Sequence, residues 1–218
     1  MNQDSDKFQL IFRVFTMVSL LVIMGQLAYL MTGKSQPKQR AQAAPERPSL
    51  EQNADMSALK SGTHIRGDKN AAVSLVLFNS FTCGFCKRFK ESIDYVLKNN
   101  QGKVNLVYRH FNRSNADIQY SMAVECAGEQ NKFWEMYDAI FSGQFSDSDQ
   151  AAKSIGLNTT SFRTCINSGK YESKSQQDTK TGVELGISGS PGYVINGETK
   201  IGYKPGPALD EEIKAAMQ

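Results

Sequence analysis

Two cysteines, Cys83 and Cys86, are separated by two residues in "FNSFTCGFCKRFKES", directly after an apolar, aromatic run and directly before a basic, helix-like one. A Cys-x-x-Cys at a strand-to-helix junction puts its first thiol at the helix N-terminus, where unpaired N–H groups and the macrodipole favour the thiolate. The second thiol sits one turn inside, within disulfide reach, and can resolve a mixed disulfide by attacking the first sulfur. On this reading Cys83 attacks, Cys86 resolves, and Lys87, Arg88 and Lys90 add positive charge around the first turn and a half. Spacing alone leaves further uses open. A zinc site needs two more ligands, and the chain offers only His64 and His110 and no second Cys-x-x-Cys. Copper binding and a purely structural disulfide are also compatible with the spacing. The redox reading expects no metal and no cofactor.

The remaining two cysteines, Cys126 and Cys165, also lie after residue 80. An even number of thiols gathered in one region fits pairing in an oxidising compartment. Two separate buried small hydrophobes would give the same sequence.

These residues need a scaffold, and the composition allows one. Apolar residues make up 40% of the 218 positions and charged residues 22%, as in an ordinary globular chain. The net charge of +3 is mild, and its cations are scattered among acids, which argues against nucleic acid as a partner.

The pattern from Thr63 onward alternates between strand and helix. "AVSLVLFNS" (72–80) and "KVNLVYRHF" (103–111) read as strands. Between them 84–100 has helical spacing through Phe85, Phe89, Ile93 and Val96/Leu97, so the unit is β-α-β with parallel strands. Helix-like segments follow at 116–130, 131–143, 147–156 and 159–186, with Asp147 and Thr159 or Thr160 as N-caps and Gly143, Gly156 and Gly169 as stops. Phe133, Trp134, Tyr137 and Phe141 read as one packed face. Residues 192–197, 199–203 and 208–217 read as strand, strand and closing helix, with the turn at Asn196-Gly197.

The N-terminal region has a different character. From Val14 to Met31 the chain carries no charge, and Phe8 to Phe12 extend the apolar stretch beyond Arg13. That is enough helix to cross a hydrocarbon core of about 30 Å, with Arg13 snorkelling to the interface. "AQA" at 41–43 would suit signal-peptide cleavage, but it lies far beyond an apolar run that is itself too long for a secretory core. The positive-inside rule is neutral or slightly adverse to an external C-terminal domain, since Lys34, Lys38, Arg40 and Arg47 follow the run while Lys7 and Arg13 precede it. Cysteine usage therefore sets the expected orientation. Residues 32–58 are rich in Gln, Ala, Pro and charge and read as a tether reaching about 30 Å. The expected domains are a short N-terminal segment (1–7), a transmembrane anchor (8–31), a flexible linker (32–60) and one folded domain (61–218).

"SFTCGFC" after an apolar strand, "ECAGEQNKFWEMYDAIF" and "ISGSPGYVINGE" together resemble the DsbA family of thiol:disulfide oxidoreductases. The resemblance covers 63–218. It implies an α/β thioredoxin-like fold with an inserted helical subdomain at about 115–187, here preceded by the transmembrane helix. It implies a cis Ser190-Pro191 bond packed against Cys83, substrate peptide pairing with the Ser190 backbone, Gly84 and Phe85 at the substrate surface, and a structural disulfide between Cys126 and Cys165. One departure stands out. Relatives of this fold usually carry a buried carboxylate six residues before the first cysteine, and here that residue is Leu77, so water or a group such as Asn79 has to help move the proton of Cys86.

The expected function is a monomeric, membrane-anchored oxidase. It passes the Cys83/Cys86 disulfide to cysteine-containing proteins in the periplasm or another extracytoplasmic space and is reoxidised by a DsbB-like partner in the inner membrane. Within redox chemistry the competing reading is an isomerase or reductase kept reduced by an electron donor, and Gly84-Phe85 is similar to the Gly-aromatic pairs of some isomerases. Outside redox chemistry it is a peptide-binding chaperone without turnover.

Overall fold

The computed structural model describes residues 3–31, 54–61 and 64–218. It divides into two units, Met1–Ser49 and Leu50–Gln218. The linker expected at 32–60 lies, for residues 32–53, outside the described residues.

The first unit contains one helix, α1 (Gln3–Met31). Its apolar side chains from Phe15 to Tyr29 are exposed. Among the described residues no helix is long and apolar enough to cross a membrane. The anchor expected over 8–31 falls on α1, whose side chains are described continuously only over 15–29.

The second unit begins earlier than hydropathy suggests. A short helix, α2 (Met56–Lys60), is N-capped by Asp55, and Ala54 and Leu59 are buried although both fall within the stretch expected to be linker. A three-residue strand, β1 (His64–Arg66), comes next, too short and evenly half-buried to show an alternating pattern. Then follow β2 (Val73–Asn79), α3 (Gly84–Asn99) and β3 (Val104–His110). Five helices separate these from the closing elements: α4 (Asn115–Gly128), α5 (Phe133–Ser142), α6 (Ser148–Ser154), α7 (Thr159–Ser168) and α8 (Glu172–Glu184). The chain closes with β4 (Gly192–Ile195), β5 (Glu198–Ile201) and α9 (Gly206–Ala215).

The strands form one mixed sheet in the order β1-β3-β2-β4-β5. β2 and β3 are parallel, with Leu77 beside Tyr108 and Asn79 beside His110, and the remaining pairings are antiparallel. Every residue of β2 is buried, as expected for a central strand covered on both faces. Leu75 and Leu77 point into the larger core with Phe89, Ile93, Tyr108, Tyr137 and Leu209, while Val76 and Phe78 join Val107, Phe111 and Ile187 on the other face. On that second face a Cβ at Gly182 of α8 would come within 2.9 Å of Phe78, so glycine there permits the close approach of helix to sheet.

The helix stop expected at Gly169 holds, and the N-cap expected at Thr159 or Thr160 is corrected. The stretch 159–186 is two helices, because Gly169 adopts a left-handed conformation and ends α7, and the N-cap of α7 is Asn158, whose side chain accepts from the Ser161 N–H. The hairpin between β4 and β5 turns at Asn196-Gly197, both with positive φ, as a two-residue turn requires. Cys126 on α4 and Cys165 on α7 are bonded across a separation of 39 residues. Closing a loop of that length contributes about 4 kcal/mol in the chain-entropy account.

Candidate active site

β2 delivers the chain to residues 80–82 and α3 takes it over, with Cys83 as the N-cap residue in extended conformation. No side chain caps α3, so the dipole end of the helix faces the Cys83 thiol. The burial stripe of α3, Cys86, Phe89, Ile93 and Val96, turns Cys86 inward while Phe85 stays 59% exposed. Gly84 faces open space. Both cysteines are thiols here, Cys83 half-buried and Cys86 buried.

The opposite wall is Ser190, in a cis bond to Pro191. The Cys83 thiol donates to the Ser190 carbonyl oxygen at 3.2 Å, and the Cys86 Sγ lies 3.0 Å from the Ser190 Oγ. The backbone N–H of Ser80 donates to that same Oγ at 3.1 Å. The structure therefore brings together Cys83, Cys86 and Ser190, with Pro191, Gly84 and Phe85 as their chain neighbours. Cys126 and Cys165 lie apart from them, in the helical block.

Burial pushes the Cys86 thiol up to about 12, and its contact with Cys83 adds to this while Ser190 and the Ser80 backbone oppose it. Cys86 is thus a protected thiol. The cation cluster expected around the helix start is smaller than its sequence suggests. Lys90 is paired with Asp94 at 2.6 Å and Asp138 at 3.1 Å, and the Arg88 guanidinium lies over the Tyr203 ring at 4.6 Å.

A residue that sequence pattern does not single out holds the loop before Cys83. Asp117, in the first turn of α4, accepts from the Ser80 Oγ at 2.9 Å and from the Thr82 N–H and Oγ1, both at 3.0 Å. It also accepts from the Arg113 N–H and the Ser114 Oγ, both at 3.0 Å. Burial raises this carboxyl, but the five donors outweigh it and keep Asp117 below the usual carboxylate value. The helical block thereby grips the active-site loop. Ser114-x-x-Asp117 is a helix-start pattern and so a visible signal, although its reach to Ser80 and Thr82 is not.

The two histidines considered as zinc ligands serve a carboxylate instead. Glu125 of α4 is bonded to His110 Nε2 at 2.9 Å and to His64 Nε2 at 3.1 Å, and is paired with Lys174. Among the described residues no cluster of three or more such side chains could hold a metal ion.

A thiol at a helix N-terminus, a shielded partner one turn inside and a backbone carbonyl opposite form an arrangement that can exchange disulfides with an incoming thiol or disulfide. Comparisons with known proteins agree on the fold. The chain is 29% identical over 161 residues to a Na(+)/H(+) antiporter NhaA 1 of Mycobacterium sp. (strain KMS), a match covering 70% of this chain and 26% of that protein. The chain thus spans about a quarter of the length of the curated relatives it matches. Its structure is similar to that of the thiol-disulfide exchange protein alpha-DsbA2 from Wolbachia pipientis, with a TM-score of 0.63 and 23% identity over 70% of this chain and 86% of that one. It is also similar to oxidised BdbD from Bacillus subtilis, with a TM-score of 0.65 and 17% identity over 72% of this chain and 93% of that one. A family model described as Thioredoxin matches residues 59–215. With that match spanning most of the chain, and its helix-inserted sheet superposing on DsbA-like structures, the protein belongs to the thioredoxin family.

Proposed function

We propose that this protein is a membrane-anchored thiol:disulfide oxidoreductase that oxidises cysteine-containing proteins outside the cytoplasm. The observation that carries the reading is the Cys83 thiol at the start of α3, 3.2 Å from the Ser190 carbonyl, with Cys86 buried behind it. A substrate thiolate attacks Cys83 of the disulfide form, Cys86 leaves, and a second substrate thiolate displaces Cys83 and takes the disulfide away. The exposed Phe85 and the backbone at Ser190 form the peptide-docking surface, with Ser190 and Pro191 pairing to an extended substrate.

The Cys126–Cys165 bond supports an oxidising compartment, and with it the placement of the domain on the periplasmic or outer side of the inner membrane. The exposed apolar side chains of α1, with Phe15 at 76% and Leu21 at 71%, support the single-pass anchor, since water disfavours such a surface. The working form is a monomer, and a DsbB-like membrane protein restores its disulfide. The antiporter activity in the relatives' names is not carried over, because the shared segment is about a quarter of their length.

The reduction potential of the Cys83/Cys86 couple tests the direction. The full chain in detergent is equilibrated against glutathione buffers. A value of about −120 mV fits a disulfide donor, and a value of about −200 mV or below rejects the oxidase in favour of an isomerase or reductase, the reading that Gly84-Phe85 favours. If replacing both Cys83 and Cys86 by serine leaves activity on client proteins intact, the redox reading fails and a chaperone takes its place.

A further inference from the structure

Exchange at Cys83/Cys86 moves protons as well as electrons. Cys86 must lose a proton before it resolves a mixed disulfide and regain one after it leaves a disulfide, and it does both from a buried position. Leu77, where a carboxylate is the usual aid in this fold, is itself buried and apolar.

The surroundings of Leu77 are nevertheless polar. In the β2–β3 register Leu77 lies beside Tyr108 and Asn79 beside His110, so strand alternation sets these four residues on one face of the sheet. Cys86, Tyr108 and Tyr137 belong to the core on that face. The hydroxyls of Tyr108 and Tyr137, both amide atoms of Asn79 and the Nδ1 of His110 are buried without a hydrogen-bond partner among the described residues. Native interiors leave few such groups, and here five unpaired atoms come from four residues, three on this face of the sheet and the fourth, Tyr137, packed against Tyr108. The Tyr108 ring is 5.3 Å from that of Tyr137 and 5.1 Å from that of His110, centroid to centroid.

His110 is held by Glu125. Burial raises the Glu125 carboxyl, but bonds from His110 and His64, with the charges of His110 and Lys174, hold it well below the usual range. An ionised carboxylate only accepts, so the His110 Nε2–H must donate to it, and in the neutral imidazole this leaves the Nδ1 as a lone pair within the core. The other Glu125 oxygen takes the Nε2 of His64, a side chain 28% exposed. Tyr108, in the core that holds Cys86, thus packs against His110, whose carboxylate partner reaches a part-exposed histidine.

We propose that His110, positioned by Glu125, exchanges the Cys86 proton through the hydroxyls of Tyr108 and Tyr137 and water bound at Asn79, with His64 as the outlet. This rests on the thiol–disulfide exchange proposed above. In resolution the Cys86 S–H bond breaks and the relay carries its proton to the His110 Nδ1. The Cys86 thiolate then attacks the Cys83 Sγ, the Cys83–Cys86 bond forms, and the substrate sulfur leaves with the electron pair of the broken mixed disulfide. The protein dithiol is oxidised and the substrate disulfide reduced. In the opposite direction the imidazolium returns the proton to the departing Cys86.

The test follows the reduced full chain in detergent after mixing with oxidised glutathione, with acid quenching and mass measurement of the Cys83–glutathione adduct. Tyr108→Phe and Tyr137→Phe remove hydroxyls that bond nothing among the described residues, so a merely structural role predicts equal or greater stability and unchanged kinetics. The relay predicts an adduct lifetime at least about tenfold longer in the double variant, and in His110→Gln where that variant folds. It also predicts that the double variant loses the pH dependence of the wild-type resolution rate. The titratable and charged groups around His110 are Glu125 from α4, bonded to its ring, with Lys174 from α8 and His64 from β1 on the same carboxylate, Asp178 from α8 at its backbone N–H, and Tyr108 on β3. Wild-type lifetime and pH profile in the folded double variant would overturn the relay alone. A wild-type chain that never forms the adduct would overturn the exchange reading, and the relay with it.

Discussion

The Ser190 Oγ sits 3.0 Å from the Cys86 Sγ while accepting the Ser80 backbone N–H at 3.1 Å. Because Ser80 occupies one lone pair, the hydroxyl hydrogen is free to turn toward the sulfur, and Ser190 works against the burial that raises the Cys86 thiol. Ser190→Ala removes this help and leaves the Ser80 N–H unpaired. The reduced form should lose about 1 kcal/mol relative to the disulfide form, moving the reduction potential about 20 mV more negative. A potential that is unchanged or more positive in glutathione buffers would contradict this role.

Cys86, raised from an ordinary 9.0 to about 12, should resist alkylation in the folded, reduced protein. At about pH 7.5, below the ordinary thiol range, iodoacetamide should add once per chain, on Cys83, with a second addition only after denaturation. A pKa raised on folding gives stability that is complete below about 9 and lost as pH climbs toward 12, so the reduced protein should weaken over that window and the disulfide form should not. Equal alkaline sensitivity of the two forms in urea unfolding would count against it.

Asp117 is an acceptor-only cup for five donors, and asparagine would turn an NH2 group toward one or more of them. Asp117→Asn should cost about 2 kcal/mol in the disulfide form, read as a lower urea midpoint at unchanged slope. A change under about 0.5 kcal/mol, the scatter of surface substitutions, would show that the loop holds itself.

Glu125 titrates below its ordinary value in the folded state. Its contribution to stability is therefore present above about 4.5 and lost as pH falls below that value. Glu125→Gln should remove about 3 kcal/mol near neutral pH, because it breaks a buried pair, and should flatten the acid limb of the stability profile. An acid limb as steep as that of the wild type would assign the acid sensitivity to other carboxylates.

Local pattern made much of this molecule legible. Apolar, β-branched runs of strand length and helical spacing marked β2, α3 and β3, and the cysteine pair stood at the junction of β2 and α3. Shorter elements escaped it, since β1 has three half-buried residues and α2 five residues, too few for either period to show. The polar ties escaped for a different reason. Asp117 reaches Ser80 across 37 positions and His64 reaches Glu125 across 61, and each residue looks like an ordinary exposed polar group until the fold joins them.

The Cys126–Cys165 bond also bears on timing. Both residues are 5% exposed or less in the finished domain, one on each of two packed helices. An oxidant the size of another protein cannot reach them there, so the bond must close while α4 and α7 are still coming together. The Cys83/Cys86 pair lies earlier in the chain and is made before either of them. For a time each new molecule holds all four thiols in one unfolded strand, and it is the approach of α4 to α7 that selects Cys126 and Cys165 as partners.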